Sequence, residues 1–168
     1  LNLGHEVGYH YETLSDTNGD LKLAMKEFKK NLIAFRKVAP CKTISMHGKP
    51  FKKYDNRSLW TLENHKILKE EFGVLGEVYL DIDYSEIAYI NDTGRNWTSF
   101  KANNRDKVRS NIKSSFDSSK ELLFYIKKKS TKRICFQIHP ERWVDNPFLW
   151  AIQFCIDNSV NMLKSLLR

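Results

Sequence analysis

Apolar and polar residues along this chain repeat at spacings that predict an alternation of short strands and longer helices. Helical spacing of apolar residues marks four stretches, which cover about residues 21–38, 58–72, 104–128 and 147–167. Apolar runs, some alternating with polar residues, predict strands at about residues 4–12, 42–47, 77–83, 89–90 and 133–138. The resulting order, β-α-β-α-β-β-α-β-α, predicts an α/β fold in which parallel strands are covered by helices.

The last predicted helix differs from the others because apolar residues occupy nearly its whole circumference. A helix of this kind is heavily buried or covers an interface. The chain has 168 residues, of which 41% are hydrophobic and 29% charged, and this composition suits one globular domain over residues 1–168. No stretch approaches the roughly 18 consecutive apolar residues that a membrane helix needs, so no membrane span is expected.

Cysteine usage and charge narrow the classes of function. The three cysteines are widely spaced and form no Cys-x-x-Cys pair, which argues against a zinc ribbon or redox motif and favours a reducing, cytoplasmic compartment. A net charge of +8 is compatible with a polyanionic partner. The basic residues are, however, spread along predicted helix faces, and no nucleic-acid-binding module is recognisable. We therefore expect no nucleic-acid partner.

Four segments each combine an apolar run with a polar cluster at its end, at residues 4–12, 43–48, 89–95 and 135–140. Parallel strands that each deliver polar side chains at the same end build the sites of barrels and of open α/β sheets. We therefore predict that these four ends converge on one hydrolytic, metal-assisted centre.

The first two segments contain candidate metal ligands. His10 and Glu12 are two residues apart and share one face of a strand, so both are candidates to bind one metal ion or to hold one water molecule. Either could instead be a structural polar residue that caps a loop, but the presence of four comparable segments favours the functional interpretation. His47, which precedes Gly48, is as consistent with a ligand-binding position as with an ordinary turn.

The last two segments contain candidate catalytic residues. His139 ends the last predicted strand, and histidine suits general acid or base catalysis because its unperturbed pKa lies near neutrality. Asp92, at the end of another strand, is a candidate to orient and charge-tune that imidazole. Trp97 and Trp143 offer flat apolar faces for stacking on sugar rings, although core packing explains either one as readily.

These segments resemble the motifs of polysaccharide deacetylases of carbohydrate esterase family 4, the nodulation-deacetylase homology group. Residues 4–10, Gly-His-Glu-Val-Gly-Tyr-His, resemble the family's second motif, Gly-His-Glu-Ile-Gly-Asn-His, and residues 47–50 stand where the family has Arg-Pro-Pro-Tyr-Gly. Residues 92–97 resemble its aspartate–tryptophan motif, and Ile138-His139 its late Leu-x-His motif. The motifs follow the family's order over nearly all of the chain, and Gly-Tyr-His-Tyr-Glu and His-Pro-Glu-Arg-Trp are most similar to a divergent branch among capsule and O-antigen biosynthesis proteins.

The resemblance implies a partial or distorted (β/α) barrel of the glycoside hydrolase/deacetylase type, here with roughly five strands and covering helices. It implies a divalent metal ion, most often zinc, whose bound water attacks an N-acetyl carbonyl. It further implies that His10 is a metal ligand and that His139, tuned by Asp92, is the general acid. Glu12 and His47 are the candidates for the remaining ligands. The residues expected to contact an N-acetylated saccharide or glycan are Tyr11, Arg95, Trp97, Arg142 and Trp143.

Two departures from the family's pattern change the prediction. The family's second metal histidine comes four residues after the first, and Leu14 stands there; its replacement by Glu12 or His47 is a hypothesis. The family's first motif, an aspartate pair that supplies the base and one ligand, lies upstream, and only three residues precede Gly4. We therefore expect either the C-terminal part of a longer barrel or a domain that has lost its base, and we expect this length alone to be inactive.

The sequence leaves two functions open. One is a metal-dependent deacetylase acting in surface-polysaccharide biosynthesis. The other is a non-catalytic carbohydrate-binding descendant that keeps the tryptophans but no metal, which Leu14 and the missing aspartates favour. In either case, the bare sheet edges of a partial barrel would favour a homo-oligomer.

Overall fold

The computed structural model describes residues 1–49, 51–93, 95, 97, 106–112, 115–128, 133–142 and 144–166. The chain divides into two compact units, Leu1–Ile82 and Asp83–Arg168. We call them the N-terminal unit and the C-terminal unit and describe each by itself.

A three-stranded parallel sheet organises the N-terminal unit. Its strands are β1 (Tyr9–Tyr11), β2 (Thr43–Met46) and β3 (Gly76–Glu77), in that order across the sheet. His10 lies opposite Ser45 in the register of β1 and β2. Because all the strands run the same way, their carboxyl ends lie at a single edge, where polar side chains from different strands can meet.

Four helices accompany this sheet, namely α1 (Thr13–Asp16), α2 (Leu21–Arg36), α3 (Leu62–Glu70) and α4 (Val78–Asp81), together with a 3-10 helix at Asn56–Leu59. Asp20 caps α2 by accepting a hydrogen bond from Leu23 N at 2.9 Å. The core forms where Phe28 of α2 meets the rings of Tyr11 and Trp60, with centroids 5.6 and 4.7 Å away. The helical spacing seen in the sequence thus buries one face of α2 against β1.

The strand predicted over residues 77–83 is wrong beyond its first residue. β3 ends at Glu77 and the chain turns directly into α4. The Glu77 carboxylate accepts a hydrogen bond from Tyr79 N at 2.8 Å, and the Asp81 carboxylate accepts one from Glu77 N at 2.8 Å. These side-chain bonds offer the backbone a helical turn in place of a strand ladder, and they override the alternating pattern.

The C-terminal unit contains a two-stranded parallel sheet of β4 (Ala88–Asn91) and β5 (Ile134–Gln137), with the helices α5 (Ser119–Lys127) and α6 (Pro147–Leu166). Ala88 and Ile90 of β4 are buried with Phe116 and Leu122 in a small core. A second 3-10 helix, Pro140–Arg142, follows β5.

The helix predicted over residues 104–128 is much shorter in the structure. Residues 106–112 and 115–118 are not helical, and α5 begins only after Ser118, which caps it by accepting from Glu121 N at 3.1 Å. Upstream, Ser110 Oγ donates a hydrogen bond to Ile87 O at 2.6 Å. This bond to the segment before β4 is a tertiary contact, which the helical spacing of apolar residues could not reveal.

Several large apolar side chains of α6 are exposed, including Phe148 at 72% and Met162 at 62%. The heavy burial expected for this helix is therefore not seen, and the other expectation, an interface, stays a prediction. No helix in the described part of the chain has the length and apolar character needed to cross a bilayer. The described strands form one sheet of three and one of two, and their closure into a partial or distorted barrel also stays a prediction.

Candidate functional site

The carboxyl edge of the N-terminal sheet gathers the three side chains predicted as metal ligands. His10 lies on β1, and Glu12 and His47 directly follow β1 and β2. The His10 and His47 rings lie with centroids 4.9 Å apart, and His47 Nδ1 donates to Glu12 Oε2 at 2.7 Å. His10 Nδ1 donates to Ser45 O at 3.0 Å. The parallel pairing of β1 and β2 therefore creates a cluster from residues that are 35 positions apart.

Two further charges extend this cluster. Lys49 Nζ lies 3.4 Å from Glu12 Oε2 and 2.6 Å from Asp16 Oδ1. The hydrogen bond to Asp16 raises the pKa of the Lys49 ammonium. Because these side chains are partly exposed, solvent screens the ion pairs and they add little stability. Their effect is on geometry, since Lys49 and His47 both contact the same oxygen of Glu12.

The donor types at this edge, two imidazoles and a carboxylate, are ones that zinc binds. Among the described residues no group of three or more His, Cys, Asp or Glu side chains is arranged so that it could hold a metal ion, so a ligand set of His10, Glu12 and His47 stays a prediction. The Glu12 carboxylate is instead directed at His47 and Lys49. Leu14, which stands where the resemblance would place a second metal histidine, is buried in the core. The N-terminal edge thus carries side chains of the types that bind zinc, and zinc binding there stays a prediction.

A buried asparagine that the sequence analysis did not single out positions the loop carrying His47. Asn56 is fully buried and its Nδ2 donates to His47 O at 2.8 Å. Its Oδ1 accepts from Ser15 N at 2.9 Å, which ties the same loop to α1. In the sequence Asn56 has the appearance of an ordinary turn residue next to Asp55, so no local signal marks its burial.

Glu77 fixes the end of β2 from the neighbouring strand. Its side chain is fully buried, and Oε1 accepts from Met46 N at 2.9 Å, directly before His47. Burial raises the pKa of the Glu77 carboxyl to about 7, against the lowering effect of its backbone hydrogen bonds and of the Arg57 charge. The carboxyl edge of this sheet therefore includes an acid that titrates near neutral pH.

In the C-terminal unit the structure brings the two predicted catalytic residues into contact. Asp92 follows β4 and His139 follows β5. His139 Nδ1 donates to Asp92 Oδ1, and His139 N donates to Asp92 Oδ2 at 3.0 Å. Burial alone would raise the pKa of Asp92, but the His139 hydrogen bonds and the Arg142 charge together hold it below its usual value. A carboxylate that is ionised and nearly buried thus orients this imidazole.

Arg142 and Arg95, predicted to contact substrate, are engaged with carboxylates of the C-terminal unit. Arg142 Nη1 donates to Asp92 O at 2.7 Å and lies 3.3 Å from Asp92 Oδ1. Arg95 Nε donates to Asp157 Oδ2 at 2.6 Å, and its guanidinium lies over the Trp150 ring, 5.4 Å from the centroid. Asp157 was not anticipated from the sequence, where it is one of several polar positions in a mostly apolar helix.

The remaining predicted sugar contacts lie in different surroundings. Tyr11 is fully buried, and its ring packs in the N-terminal core with no face open to a sugar. Trp97 is half-buried beside Phe116 and donates Nε1 to Ser119 Oγ at 2.9 Å. Trp143 lies outside the described residues. The prediction that His10 and His139 face one pocket concerns both units and stays a prediction.

Comparison with protein-family models, with curated proteins and with solved structures finds no match for this chain. The candidate site therefore rests on the geometry of its own residues. Its resemblance to polysaccharide deacetylases stays a prediction from sequence.

Proposed function

We propose that this chain belongs to a metal-dependent deacetylase that removes N-acetyl groups from a saccharide or glycan in surface-polysaccharide biosynthesis. The observation that supports this best is the Asp92–His139 pair at the carboxyl edge of β4 and β5. A carboxylate that holds an imidazole through Nδ1 fixes its tautomer and leaves Nε2 for proton transfer. Catalytic groups at the carboxyl ends of parallel strands are typical of α/β enzymes.

Hydrolysis of an N-acetyl amide needs a proton for the leaving amine as the C–N bond breaks. In this proposal His139 delivers that proton from Nε2, while Asp92 stabilises the imidazolium that precedes the transfer. A zinc ion, when bound, supplies polarisation of the carbonyl group and a more acidic water. We propose His10, Glu12 and His47 as the residues that would hold it, in a cytoplasmic protein with a partial or distorted barrel.

The test is to measure zinc content and acetate release from N-acetylated chito-oligosaccharides on the full-length protein. We expect zinc to co-purify with the protein and His139→Gln to lower acetate release by at least about 10²-fold, as loss of a general acid does. His65→Gln is a matched control, because His65 Nε2 also contacts a carboxylate, Asp81 Oδ2 at 2.9 Å. His65 lies on α3, in the N-terminal unit. Equal acetate release by the His139→Gln and wild-type proteins would refute the proposed role.

A second function, non-catalytic carbohydrate binding, is favoured by one observation. Leu14 is buried where the family has a metal histidine, and the described residues contain no formed metal-ligand group. For this function we expect calorimetric binding of the same oligosaccharides that is unchanged by a chelator, with no acetate release. One zinc ion per chain in elemental analysis would count against it.

A further inference from the structure

Asp157 of α6 is a largely enclosed acidic side chain of the C-terminal unit that the proposed mechanism leaves without a role. Its carboxylate is 16% exposed and accepts from Arg95 Nε at 2.6 Å and from Gln153 Nε2 at 3.0 Å. The same oxygen that binds Arg95 lies 3.6 Å from Arg142 Nε. One carboxylate therefore anchors two guanidinium groups.

Arg142 connects this carboxylate to the Asp92–His139 pair. Its Nε faces Asp157, while its Nη1 donates to the backbone oxygen of Asp92 and approaches Asp92 Oδ1 at 3.3 Å. Asp92 Oδ1 is the atom that accepts from His139 Nδ1. Guanidinium and imidazole thus approach the same oxygen, and the position of Arg142 decides how much of that oxygen is left for His139.

We propose that Asp157 is a positioning residue, which holds Arg142 so that Asp92 stays available to orient His139. The effect of this role on catalysis rests on the proposed function, whereas the contacts of Asp157 with Arg95 and Arg142 do not. Arginine binds carboxylates best through two parallel hydrogen bonds. With Asp157 present, the guanidinium of Arg142 is divided between two carboxylates. Without Asp157, this guanidinium is free to turn fully onto Asp92 and displace the imidazole.

The balance of charge around the imidazole supports the same role for Asp157. Arg95 and Arg142 contribute two positive charges, which Asp92 and Asp157 balance with two negative ones. The four side chains are between 10% and 16% exposed, so water screens them only in part. Neutralising Asp157 leaves one uncompensated positive charge beside the imidazole that must become an imidazolium.

The experiment compares Asp157→Asn, Asp157→Glu and the control Ser159→Ala, with the histidine spectra taken on the 168-residue chain and acetate release measured on the full-length protein. Ser159 lies on the same helix, and its Oγ donates to Cys155 O at 2.9 Å within α6. Protein labelled with ¹⁵N-histidine reports the His139 tautomer through its ring-nitrogen shifts and Nδ1–H proton, assigned by their disappearance in His139→Gln. Acetate release gives kcat and KM in parallel.

We expect the wild-type and Ser159→Ala proteins to show one Nδ1–H tautomer of His139. Asp157→Asn should lose the Nδ1–H signal and lower kcat on the order of 10- to 100-fold with KM nearly unchanged, as misplacement of a catalytic group does. Asp157→Glu should restore much of both. A native Nδ1–H signal in Asp157→Asn overturns the inference, whatever the activity.

Two further outcomes separate this inference from the proposed function. Absence of acetate release by the full-length wild-type protein would refute the deacetylase proposal, while the tautomer measurement still decides the role of Asp157. If Asp157→Asn does not fold, Gln153→Ala loosens the same carboxylate by one neutral hydrogen bond. It should weaken the Nδ1–H signal, and an unchanged signal there would overturn the inference.

Discussion

Replacing Glu77 with glutamine should remove a pH-dependent loss of stability from the N-terminal unit. Glu77 is fully buried, and its two oxygens accept from Met46 N at 2.9 Å and from Tyr79 N at 2.8 Å. Burial raises its pKa from 4.5 to about 7, although backbone hydrogen bonds from Met46, Tyr79 and Leu80 and the Arg57 charge favour the ionised form. Ionisation of this group therefore works against the folded state.

The size of the effect follows from proton linkage. Between pH 4.5 and about 7 the folded protein holds a proton that the unfolded chain has already released. The stability that this group contributes is therefore fully present below the pKa of the unfolded chain, 4.5, and is lost as the pH rises through the pKa of the folded protein, about 7. At about 1.4 kcal/mol for each pH unit, the loss amounts to about 3 kcal/mol of unfolding free energy.

Glutamine cannot ionise and should not show this loss. Its amide has one oxygen where Glu77 offers two to backbone N–H groups, and its NH₂ faces a donor, which costs about 1–3 kcal/mol at every pH. Glu77→Gln should therefore be less stable than the wild-type protein at about pH 5 and should approach or exceed its stability at about pH 8.

Urea unfolding at these two pH values measures the effect. Trp60 is buried and is the only tryptophan in the sequence of the N-terminal unit, so the ¹⁹F signal of fluorotryptophan at this position follows that unit separately. Glu71→Gln, at an exposed glutamate, is the control and should keep the wild-type pH dependence. Parallel pH dependence of the wild-type and Glu77→Gln proteins would show that Glu77 does not carry the raised pKa.

Three further substitutions test the packing around both edges. The folded pKa of Asp92 is lowered, so its stabilisation is present above the unfolded pKa and is lost as the pH falls through the folded pKa; Asp92→Asn should reduce the unfolding free energy at pH 7 and should reduce it less as the pH falls, as urea titrations will show. Asn56→Ala removes a buried hydrogen-bonding group and should cost on the order of 2 kcal/mol or more, read from urea unfolding; full wild-type stability would contradict its positioning role. Gly19→Ala should cost more than about 1 kcal/mol, because φ is +88° and a Cβ would lie 2.3 Å from the Tyr54 ring. Gly4→Ala, with φ of +80° and no atom within 4 Å of the added Cβ, should lose less unfolding free energy, measured by the same urea unfolding.

The local elements that the sequence predicted well are those whose apolar spacing decides which face is buried. The predicted helix over 21–38 corresponds to Leu21–Arg36, and the strands over 42–47 and 133–138 correspond to Thr43–Met46 and Ile134–Gln137. The spacing of apolar residues predicted the wrong element where side-chain hydrogen bonds competed with it. Glu77 turned a predicted strand into a helical turn, and Ser110 tied a predicted helix to the segment before β4.

The residues of the candidate site also fall into those that the sequence predicted and those that it did not. Asp92 and His139 were anticipated because both end apolar runs, and the structure places them in contact. Glu77, Asn56 and Asp157 were not, because a polar residue that points inward has the same sequence context as one that points to solvent. Their burial depends on what the rest of the chain packs against them.

Local periodicities could be predicted for this protein, because the spacing of apolar side chains governs which helices and strands can bury a face. Which distant residues meet depends on how the strands pair and the helices pack. Parallel pairing of β1 with β2 placed Glu12 beside His47, and parallel pairing of β4 with β5 placed Asp92 beside His139. The physical reason is that strand register and helix docking are set by contacts between segments far apart in the chain, which no local pattern records.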